Sequence, residues 1–386
     1  MRDFAQRLAD RKQKALYRRR IPVSDVDFPE LVVDGRRCVS FCSNDYLGLA
    51  SHPLIKQSYM QAVDLYGVGA GASQLVTGYH VEHQLLEQAL AEFLQRPRVL
   101  LYSSGYLANL GTLSALALHG DRIYADRLNH ASLVDAARLA DAKVRRYRHA
   151  EADDLRRLIA LDDARHKLIV SDGVFSMDGD LAPVAELVAI AAQQQALLMI
   201  DDAHGIGVLG EHGRGTLEQC DVATQVPVLV GTFGKAFGAM GAFVSGSEEL
   251  IETLVQFSRT CTYSTAMPPA SAAALRTALQ VLIQETWRRQ KLQALITRFR
   301  QGAAELDITL GRSSTPIQPV IIGEAAAAVE ASARLRERGI LITAIRPPTV
   351  PLHSARLRIT LSAAHSEQQV DYLLECLAQV FAAGQG

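Results

Sequence analysis

One lysine stands where an amine could act as a nucleophile. The apolar run of residues 228–231 predicts a buried strand, and Lys235 follows this run between Gly234 and Gly238. Desolvation beyond a core strand would favour the neutral amine, which can attack a carbonyl and form a Schiff base. Because glycine-flanked lysines are common in loops, this stretch alone also fits a surface loop.

A carboxylate and an imidazole follow a second apolar run. Residues 196–200 predict another buried strand, which leads into Asp201, Asp202 and His204. A carboxylate at this point can keep a ring nitrogen protonated, as pyridoxal phosphate requires if its ring is to take up electrons. The two strand ends therefore offer an acid and an amine that could serve one cofactor.

Strand and helix patterns alternate around these two runs. Further strand patterns lie at residues 99–104, 122–126 and 167–171, with helical patterns between them. This alternation predicts βαβ units, and hence an α/β fold with a mostly parallel sheet. Ligands bind at the carboxyl ends of such strands, so the residues that follow strands are the candidates for a site.

Three other strand ends carry groups suited to a cofactor. The backbone amides of Gly105 and Tyr106 open a predicted helix and could receive a phosphate. His130 opens the next predicted helix and could stack on an aromatic ring, although a lone histidine is more often structural. Ser176 lies in a comparable loop. These four residues meet only if the order of the strands brings them together.

Nucleotide and metal sites are not indicated. Residues 205–210 fit the GxGxxG pattern, but the following EHGRG is no apolar helix, which argues against a dinucleotide site. Gly234 and Lys235 lack the earlier glycine of a loop that binds nucleoside triphosphates. His204, His212 and the nearby aspartates form no closed ligand set, so we expect no metal.

Charge and cysteine usage argue against several classes. Among 386 residues, 40 Lys and Arg balance 41 Asp and Glu, which gives no reason to expect nucleic acid or an anionic membrane as partner. The charged N-terminal stretch does not resemble a signal peptide, and no apolar run reaches membrane-spanning length. The five cysteines show neither CxxC spacing nor a disulfide framework, so we expect a cytoplasmic protein.

The regular alternation of predicted strands and helices ends after the motif MPP at residues 267–269. Long helical patterns and then short strands replace the regular alternation. We therefore expect an N-terminal helix and hairpin segment (residues 1–50), a large cofactor-binding domain (residues 51–285) and a smaller α+β domain (residues 286–386).

Four motifs together resemble a known family. They are SNDYLGL (43–49), DDAHGIGVLGEHGRG (201–215), TFGKAFG (232–238) and YSTAMPP (263–269). In this order they resemble the α-oxoamine synthases, pyridoxal-phosphate enzymes of the aspartate aminotransferase fold. The resemblance implies a mostly parallel central sheet, a smaller α+β C-terminal domain and bound pyridoxal 5'-phosphate.

The resemblance also implies roles around the cofactor ring. Lys235 would form the Schiff base, and Asp201 would pair with the pyridinium nitrogen. His204 would contact the phenolic oxygen, His130 would stack on the ring, and Ser176 would hydrogen-bond within the site.

Further roles implied by the resemblance concern the phosphate. Gly105, Tyr106 and Thr232 would hold the phosphate group of the cofactor. Ser264 and Thr265 resemble residues that reach the phosphate in a neighbouring subunit, which would require a homodimer with shared active sites.

Substrate contacts are implied at five positions. Arg346 would bind the carboxylate of the amino acid through its planar guanidinium. Arg18 and Thr349 resemble contacts to the acyl substrate, whereas Asn44 and His130 would border the amino-acid pocket.

Two segments indicate the substrates. AIRPPTVP (344–351) and ARLRIT (355–360) are most similar to the family member that joins L-alanine to a pimeloyl thioester, carried by coenzyme A or acyl carrier protein. The alternative within the family is a sister synthase that uses glycine and a different acyl-CoA. A cofactor-binding regulator or silent scaffold subunit is a further alternative, against which the intact Lys235, Asp201 and His204 argue.

Overall fold

The structure, a computed structural model, describes residues 3–382 except for the side chains of residues 25 and 26. It divides into two units. The larger unit comprises Leu49–Ser176 and Leu181–Thr286. The smaller unit combines the N-terminal part up to Gly48, Met177–Asp180 and the C-terminal part from Trp287.

The helices are, in chain order, α1 (Phe4–Gln13), α2 (Pro53–Tyr66), α3 (Val81–Leu94), α4 (Gly105–Leu116), α5 (Ala131–Leu139), α6 (Ala152–Ala160), α7 (Val184–Gln193), α8 (Thr216–Gln219), α9 (Glu248–Phe257), α10 (Arg259–Thr262), α11 (Pro269–Gln284), α12 (Trp287–Glu305), α13 (Ala325–Glu337) and α14 (Glu367–Ala382). Across residues 3–382, no helix combines the length and the apolar character needed to span a lipid bilayer.

The strands are β1 (Val23–Asp27), β2 (Glu30–Val33), β3 (Arg36–Ser40), β4 (Arg98–Tyr102), β5 (Arg122–Asp126), β6 (Lys143–Tyr147), β7 (Lys167–Asp172), β8 (Leu197–Asp201), β9 (Val228–Thr232), β10 (Ala242–Gly246), β11 (Ile317–Gly323), β12 (Ile340–Leu341), β13 (Thr343–Ile345) and β14 (Ala355–Thr360).

A seven-stranded sheet organises the larger unit, in the order β4-β10-β9-β8-β7-β5-β6. Strands β6, β5, β7, β8 and β9 run parallel to one another, whereas β10 runs antiparallel to both β4 and β9. The prediction of a mostly parallel central sheet is therefore confirmed.

One buried cluster of the larger unit lies against one face of this sheet. Alternate strand residues, such as Leu168 and Val170 in β7, belong to one buried cluster because successive side chains of a strand point to opposite faces. Helices α4, α5 and α9 contribute to the same cluster, for example through Leu113 and Leu254. The packed helices hold the strand ends, and thus the candidate residues, in fixed positions.

Two strands of this sheet were not predicted from the sequence. Strand β6 reads KVRRY and lies at the sheet edge, where most of its side chains are exposed, so it shows no apolar run. Strand β10 is buried throughout, but its apolar run of three residues is too short to be distinguished from the preceding turn.

The smaller unit contains two sheets, with the orders β1-β2-β3-β12 and β11-β14-β13. Parallel pairing of β3 with β12 sets Val39 opposite Ile340. This long-range pairing explains why the N-terminal hairpin belongs to the same unit as the C-terminal part.

The register of the large sheet gathers carboxyl groups at one edge. Asp201 ends β8 and pairs with Asp172 at the end of β7 and with Val230 in β9. Asp126 ends β5, the next strand along. Since parallel strands end at the same edge, the sheet itself brings these side chains near one another.

Lys235 lies in the tight turn that joins β9 to β10. Within it, Gly238 N donates to Lys235 O at 2.8 Å and Phe233 N donates to Gly241 O at 2.9 Å. Gly238 has a φ of +66°, and a Cβ atom on it would overlap the backbone of Ala50. Both the conformation and the space therefore require glycine at this position.

The Gly238→Ala variant tests this requirement. We expect it to lower the free energy of unfolding by about 1 to 3 kcal/mol, because the Cβ adds overlap to an unfavourable φ. Urea unfolding measures the change. Gly71→Ala is the matched control, since Gly71 has a φ of +72° but open space around its Cα. Equal losses in the two variants would show that the overlap with Ala50 carries no cost.

Candidate active site

The carboxylate of Asp201 is buried and held by two donors. Only 5% of the residue is exposed. Asn109 Nδ2 donates to Asp201 Oδ2 at 2.6 Å, and the backbone N of Ala203 donates to Oδ1 at 3.0 Å. Hydrogen bonds to the ionised form stabilise it, so this environment suits a carboxylate that faces a cationic ring nitrogen.

His130 is the N-cap of α5, and both its backbone N–H and its ring form hydrogen bonds. Its backbone N donates to Asp172 Oδ2 at 2.7 Å. Its Nδ1 lies 2.7 Å from Ser132 Oγ and accepts from Ser132 N at 3.2 Å. Desolvation lowers the pKa of His130, although part of the residue is exposed, while Asp201 raises this pKa and Lys235 lowers it.

The amine of Lys235 therefore acts on the same imidazole as the carboxylate of Asp201. Lys235 is partly buried, and its charge lowers the pKa of both His130 and Asp172. The structure thus brings together the acid, the amine and the imidazole that the strand ends suggested.

Asp172 is a buried acid that the sequence analysis did not select. Desolvation and the adjacent charge of Asp201 raise its pKa well above the ordinary value, against the lowering effect of the His130 N–H. Asn129 fixes its backbone, because Asn129 Oδ1 accepts from Asp172 N at 3.2 Å. Burial beside the charge of Asp201 therefore favours the neutral form of Asp172.

Asn109 was also missed, although the sequence holds a signal for it. It is a buried polar residue within the mostly apolar helix α4, and such a residue requires a hydrogen-bond partner. Its partners are Asp201 and Ser132.

The predicted phosphate residues fall into two groups. Gly105 opens α4 beside Thr232, and a Cβ atom on Gly105 would lie 3.8 Å from the Cβ of Thr232. Thr232 Oγ1 accepts from Gly234 N at 3.2 Å and donates to Gly241 O at 2.9 Å. The side chain of Tyr106 is partly exposed, and its hydroxyl donates to Asp135 on α5. The N-terminus of α4, with the Thr232 side chain beside Gly105, suits an anion.

Ser264 and Thr265 form the second group. They line a small cavity together with Ser103 and Gln74, and Thr265 pairs with Ser73. Thr265 is exposed, and Ser264 is partly exposed.

His204 and Ser176 lie in turns that follow strands of the large sheet. His204 is buried in the turn after β8, and Ser176 is partly buried in the segment after β7. Both belong to the same unit as Asp201 and Lys235.

These residues fit pyridoxal phosphate. A fixed carboxylate, an amine on the neighbouring strand end and a helix N-terminus beside a hydroxyl match its ring nitrogen, aldehyde and phosphate. Among residues 3–382, no group of three His, Cys, Asp or Glu side chains could hold a metal ion.

In the smaller unit, three predicted substrate residues lie close together. Arg18 Nη2 donates to Thr349 Oγ1 at 2.8 Å. Arg346 Nη1 donates to Ala15 O at 2.6 Å, and desolvation together with the charge of Arg18 lowers the pKa of Arg346. This cluster places two guanidinium groups near each other, as binding of an acidic ligand would require.

Asn44 has a different arginine as its neighbour. Arg358 Nη1 donates to Asn44 Oδ1 at 3.3 Å, and Tyr46 donates to the same oxygen at 3.3 Å. Only 7% of Arg358 is exposed. The sequence analysis missed Arg358 because a charged residue within the strand pattern of β14 suggested nothing beyond an exposed strand face.

A second buried acid, Asp202, organises the loop after β8. It is fully buried, and its Oδ2 accepts from Thr216 N at 2.6 Å. Cβ atoms on Gly173, Gly205 or Gly215 would collide with its carboxyl group. Gly205 and Gly215 of this loop therefore make room for Asp202.

Comparison with known proteins agrees with this geometry. The model of the family "Aminotransferase class I and II" matches residues 36–377. A curated relative from Nitrosococcus oceani, named 8-amino-7-oxononanoate synthase, is 55% identical over 374 residues, which is 97% of this chain and 99% of the relative.

Two solved structures have similar folds. Serine palmitoyltransferase from Sphingomonas wittichii has a TM-score of 0.94 and 33% identity, covering 98% of this chain and 96% of that chain. A serine palmitoyltransferase variant from S. paucimobilis, solved with bound pyridoxal phosphate and myriocin, has a TM-score of 0.94 and 27% identity over 99% of each chain.

The carboxyl group of Asp202 makes stability depend on pH. Burial raises the pKa of Asp202 to about 8, against about 4 in an unfolded chain. Between these values the folded chain retains a proton that the unfolded chain has released, so this group lowers the free energy of unfolding as pH rises. We expect Asp202→Asn to gain stability relative to the wild type by up to about 1.4 kcal/mol per pH unit over this range.

Urea unfolding at several pH values between about 5 and 8 measures this difference. Asp64→Asn, which changes an exposed aspartate, is the control. Parallel stability curves for the wild type and Asp202→Asn would contradict the assignment of a raised pKa.

Proposed function

Because the chain belongs to the class I and II aminotransferase family, we propose that it condenses L-alanine with a pimeloyl thioester. The products are 8-amino-7-oxononanoate, carbon dioxide and the free thiol carrier, in a step of biotin biosynthesis. The observation that carries the chemistry is the placement of Asp201, which ends β8 and is held by two N–H donors, on the strand next to β9, whose following loop carries Lys235. Identity of 55% to a relative named 8-amino-7-oxononanoate synthase supports the choice of substrates.

Pyridoxal phosphate, when bound, supplies an aldehyde that captures the amino group and a ring that stores the electron pair released at Cα. Asp201 keeps a proton on the ring nitrogen through its carboxylate. Lys235 Nζ removes the Cα proton of alanine and later returns a proton. His130 covers one face of the ring and excludes water from it.

The two acids at the ends of β7 and β8 divide their roles. Asp201 has two N–H donors, which stabilise a carboxylate, whereas Asp172, whose pKa is raised by burial and by the charge of Asp201, orients His130 by accepting its backbone N–H. Only an anionic partner can stabilise a protonated ring nitrogen, so Asp201 serves in that position.

Other residues of the larger unit hold the remaining parts of the cofactor. Gly105, Tyr106 and Thr232 bind its phosphate, with support from the N-terminus of α4. His204 and Ser176 contribute hydrogen bonds to the ring substituents.

Two arginines are candidates for binding the carboxylate of alanine. Arg346 is the residue predicted from the sequence, and Arg358 is the neighbour of Asn44. We favour Arg358, because it lies beside Asn44, which was expected to border the amino-acid pocket, whereas Arg346 lies beside Arg18, which was expected to contact the acyl substrate. Arg346 and Arg18 then bind the acidic acyl donor, whose pimeloyl group ends in a carboxylate.

A homodimer completes this proposal. Ser264 and Thr265 are accessible, and exposed apolar side chains such as Tyr263 and Val76 flank the segments that carry them and their partner Ser73. In a second copy that covers this surface, these hydroxyls would contact the phosphate of the cofactor bound to that copy. The five free cysteines support a cytoplasmic location.

Lys235→Ala tests the central role of the amine. We expect product formation to fall at least about a thousandfold, because both the covalent attachment and the proton transfer are lost. Mass spectrometry of reactions with alanine and either pimeloyl-CoA or pimeloyl-acyl carrier protein measures the product. Lys56→Ala, which changes an exposed lysine of the same unit, should retain activity.

The wild-type reactions also separate the alternatives. Product from glycine with a short acyl-CoA, and none from alanine with a pimeloyl donor, would favour the sister synthase. Absence of product and of carbon dioxide release with every donor would favour a regulator or scaffold.

Arg358→Lys and Arg346→Lys decide between the two arginines. Loss of the planar pair of hydrogen bonds costs about 1.5 to 3 kcal/mol, so we expect Arg358→Lys to raise the KM for alanine about 10- to 150-fold. Arg346→Lys should mainly raise the KM for the pimeloyl donor. The reverse pattern would assign the carboxylate of alanine to Arg346.

A further inference from the structure

A continuous chain of hydrogen bonds connects Asp201 with His130. Asn109 Nδ2 donates both to Asp201 Oδ2 at 2.6 Å and to Ser132 Oγ at 2.8 Å. Ser132 Oγ lies 2.7 Å from His130 Nδ1. Asn109 and Ser132 are each 1% exposed, so the two bonds of the Asn109 amide are shielded from water, whereas the bond between Ser132 Oγ and the exposed His130 is only partly buried.

The direction of each bond follows from the groups involved. A carboxylate only accepts, so the Asn109 amide must turn its NH₂ group toward Asp201. The backbone N of Ser132 can only donate, and it points at His130 Nδ1 from 3.2 Å. His130 Nδ1 therefore carries a lone pair and no proton. Ser132 Oγ, which accepts from Asn109, then donates its own proton to Nδ1.

The charges that face His130 agree with a neutral ring. Lys235 lies on the turn after β9, Asp201 ends β8, and Asp172 at the end of β7 accepts the backbone N–H of His130. Desolvation lowers the pKa of His130 and Lys235 lowers it further, whereas Asp201 acts in the opposite direction.

We propose that Asn109 and Ser132 are positioning residues that hold His130 in its neutral, Nε2-protonated tautomer and link it to Asp201. His130 then presents an N–H donor at Nε2, and its ring keeps one orientation through the reaction. The consequence for turnover rests on the proposed function, but the tautomer and the pKa of His130 can be measured independently of turnover.

Nitrogen-15 NMR of the holoenzyme with ring-labelled histidine tests the proposal. The spectrum of His130→Gln identifies the signals of His130. In the wild type near neutral pH we expect a protonated Nε2 and an unprotonated Nδ1. A protonated Nδ1, in either the neutral or the charged ring, would overturn the proposal.

Ser132→Ala removes the hydroxyl donor to Nδ1. This donor stabilises the neutral ring, so its loss should raise the pKa of His130 by about half to one pH unit. Ser114→Ala is the matched control, because its hydroxyl donates to Leu110 O on α4. An unchanged pKa in Ser132→Ala would overturn the role of Ser132.

Asn109→Ala removes a donor from the carboxylate of Asp201. We expect the dissociation constant for pyridoxal phosphate, measured by absorbance titration of the apoenzyme, to rise about tenfold or more. Unchanged affinity would overturn the role of Asn109.

Kinetics separate this inference from the proposed function. If the wild type forms product, the acid limb of its kcat/KM profile should shift upward in Ser132→Ala together with the pKa of His130. If the wild type forms no product, the proposed function fails, while the NMR result still decides the tautomer. Product formation with a protonated Nδ1 would overturn only the inference.

Discussion

Two buried carboxyl groups lie side by side where β7 and β8 end, and burial next to a like charge disfavours the ionisation of both. Hydrogen-bond donors decide which group carries the charge. Asp201 receives N–H bonds from Asn109 and Ala203, whereas Asp172 is driven toward its neutral form and accepts the N–H of His130. The two neighbouring strand ends therefore offer two acids in different environments, one hydrogen-bonded as a carboxylate and one with a raised pKa.

The pairing of these two acids concerns the proposed cofactor residues of the larger unit more than the proposed substrate residues of the smaller unit. The acid, the amine and the imidazole all lie in the larger unit, whose fold has close counterparts in serine palmitoyltransferases. Enzymes of one fold that take different amino acids and acyl groups must differ in the residues that bind these groups. The arginines of the smaller unit, Arg346 and Arg358, are therefore where the substrate choice of this chain has to be examined.

The strand ends were the predictable part of the site. Apolar runs mark β8 and β9 plainly, so Asp201 and Lys235 could be selected and their proximity expected from the rules of parallel sheets. Asp172, Asn109 and Arg358 were not selected because their importance comes from partners that are distant in sequence. A single buried polar residue in an apolar pattern indicates that a partner exists but does not identify it.

Protonation of the cofactor ring tests the account most directly. Nitrogen-15 NMR of the holoenzyme rebuilt with pyridoxal phosphate labelled at the ring nitrogen reports this proton for the wild type and for Asp201→Asn. The account predicts a protonated ring nitrogen in the wild type near neutral pH and an unprotonated one in the variant. An unprotonated ring nitrogen in the wild type, or the same protonated signal in both proteins, would contradict it.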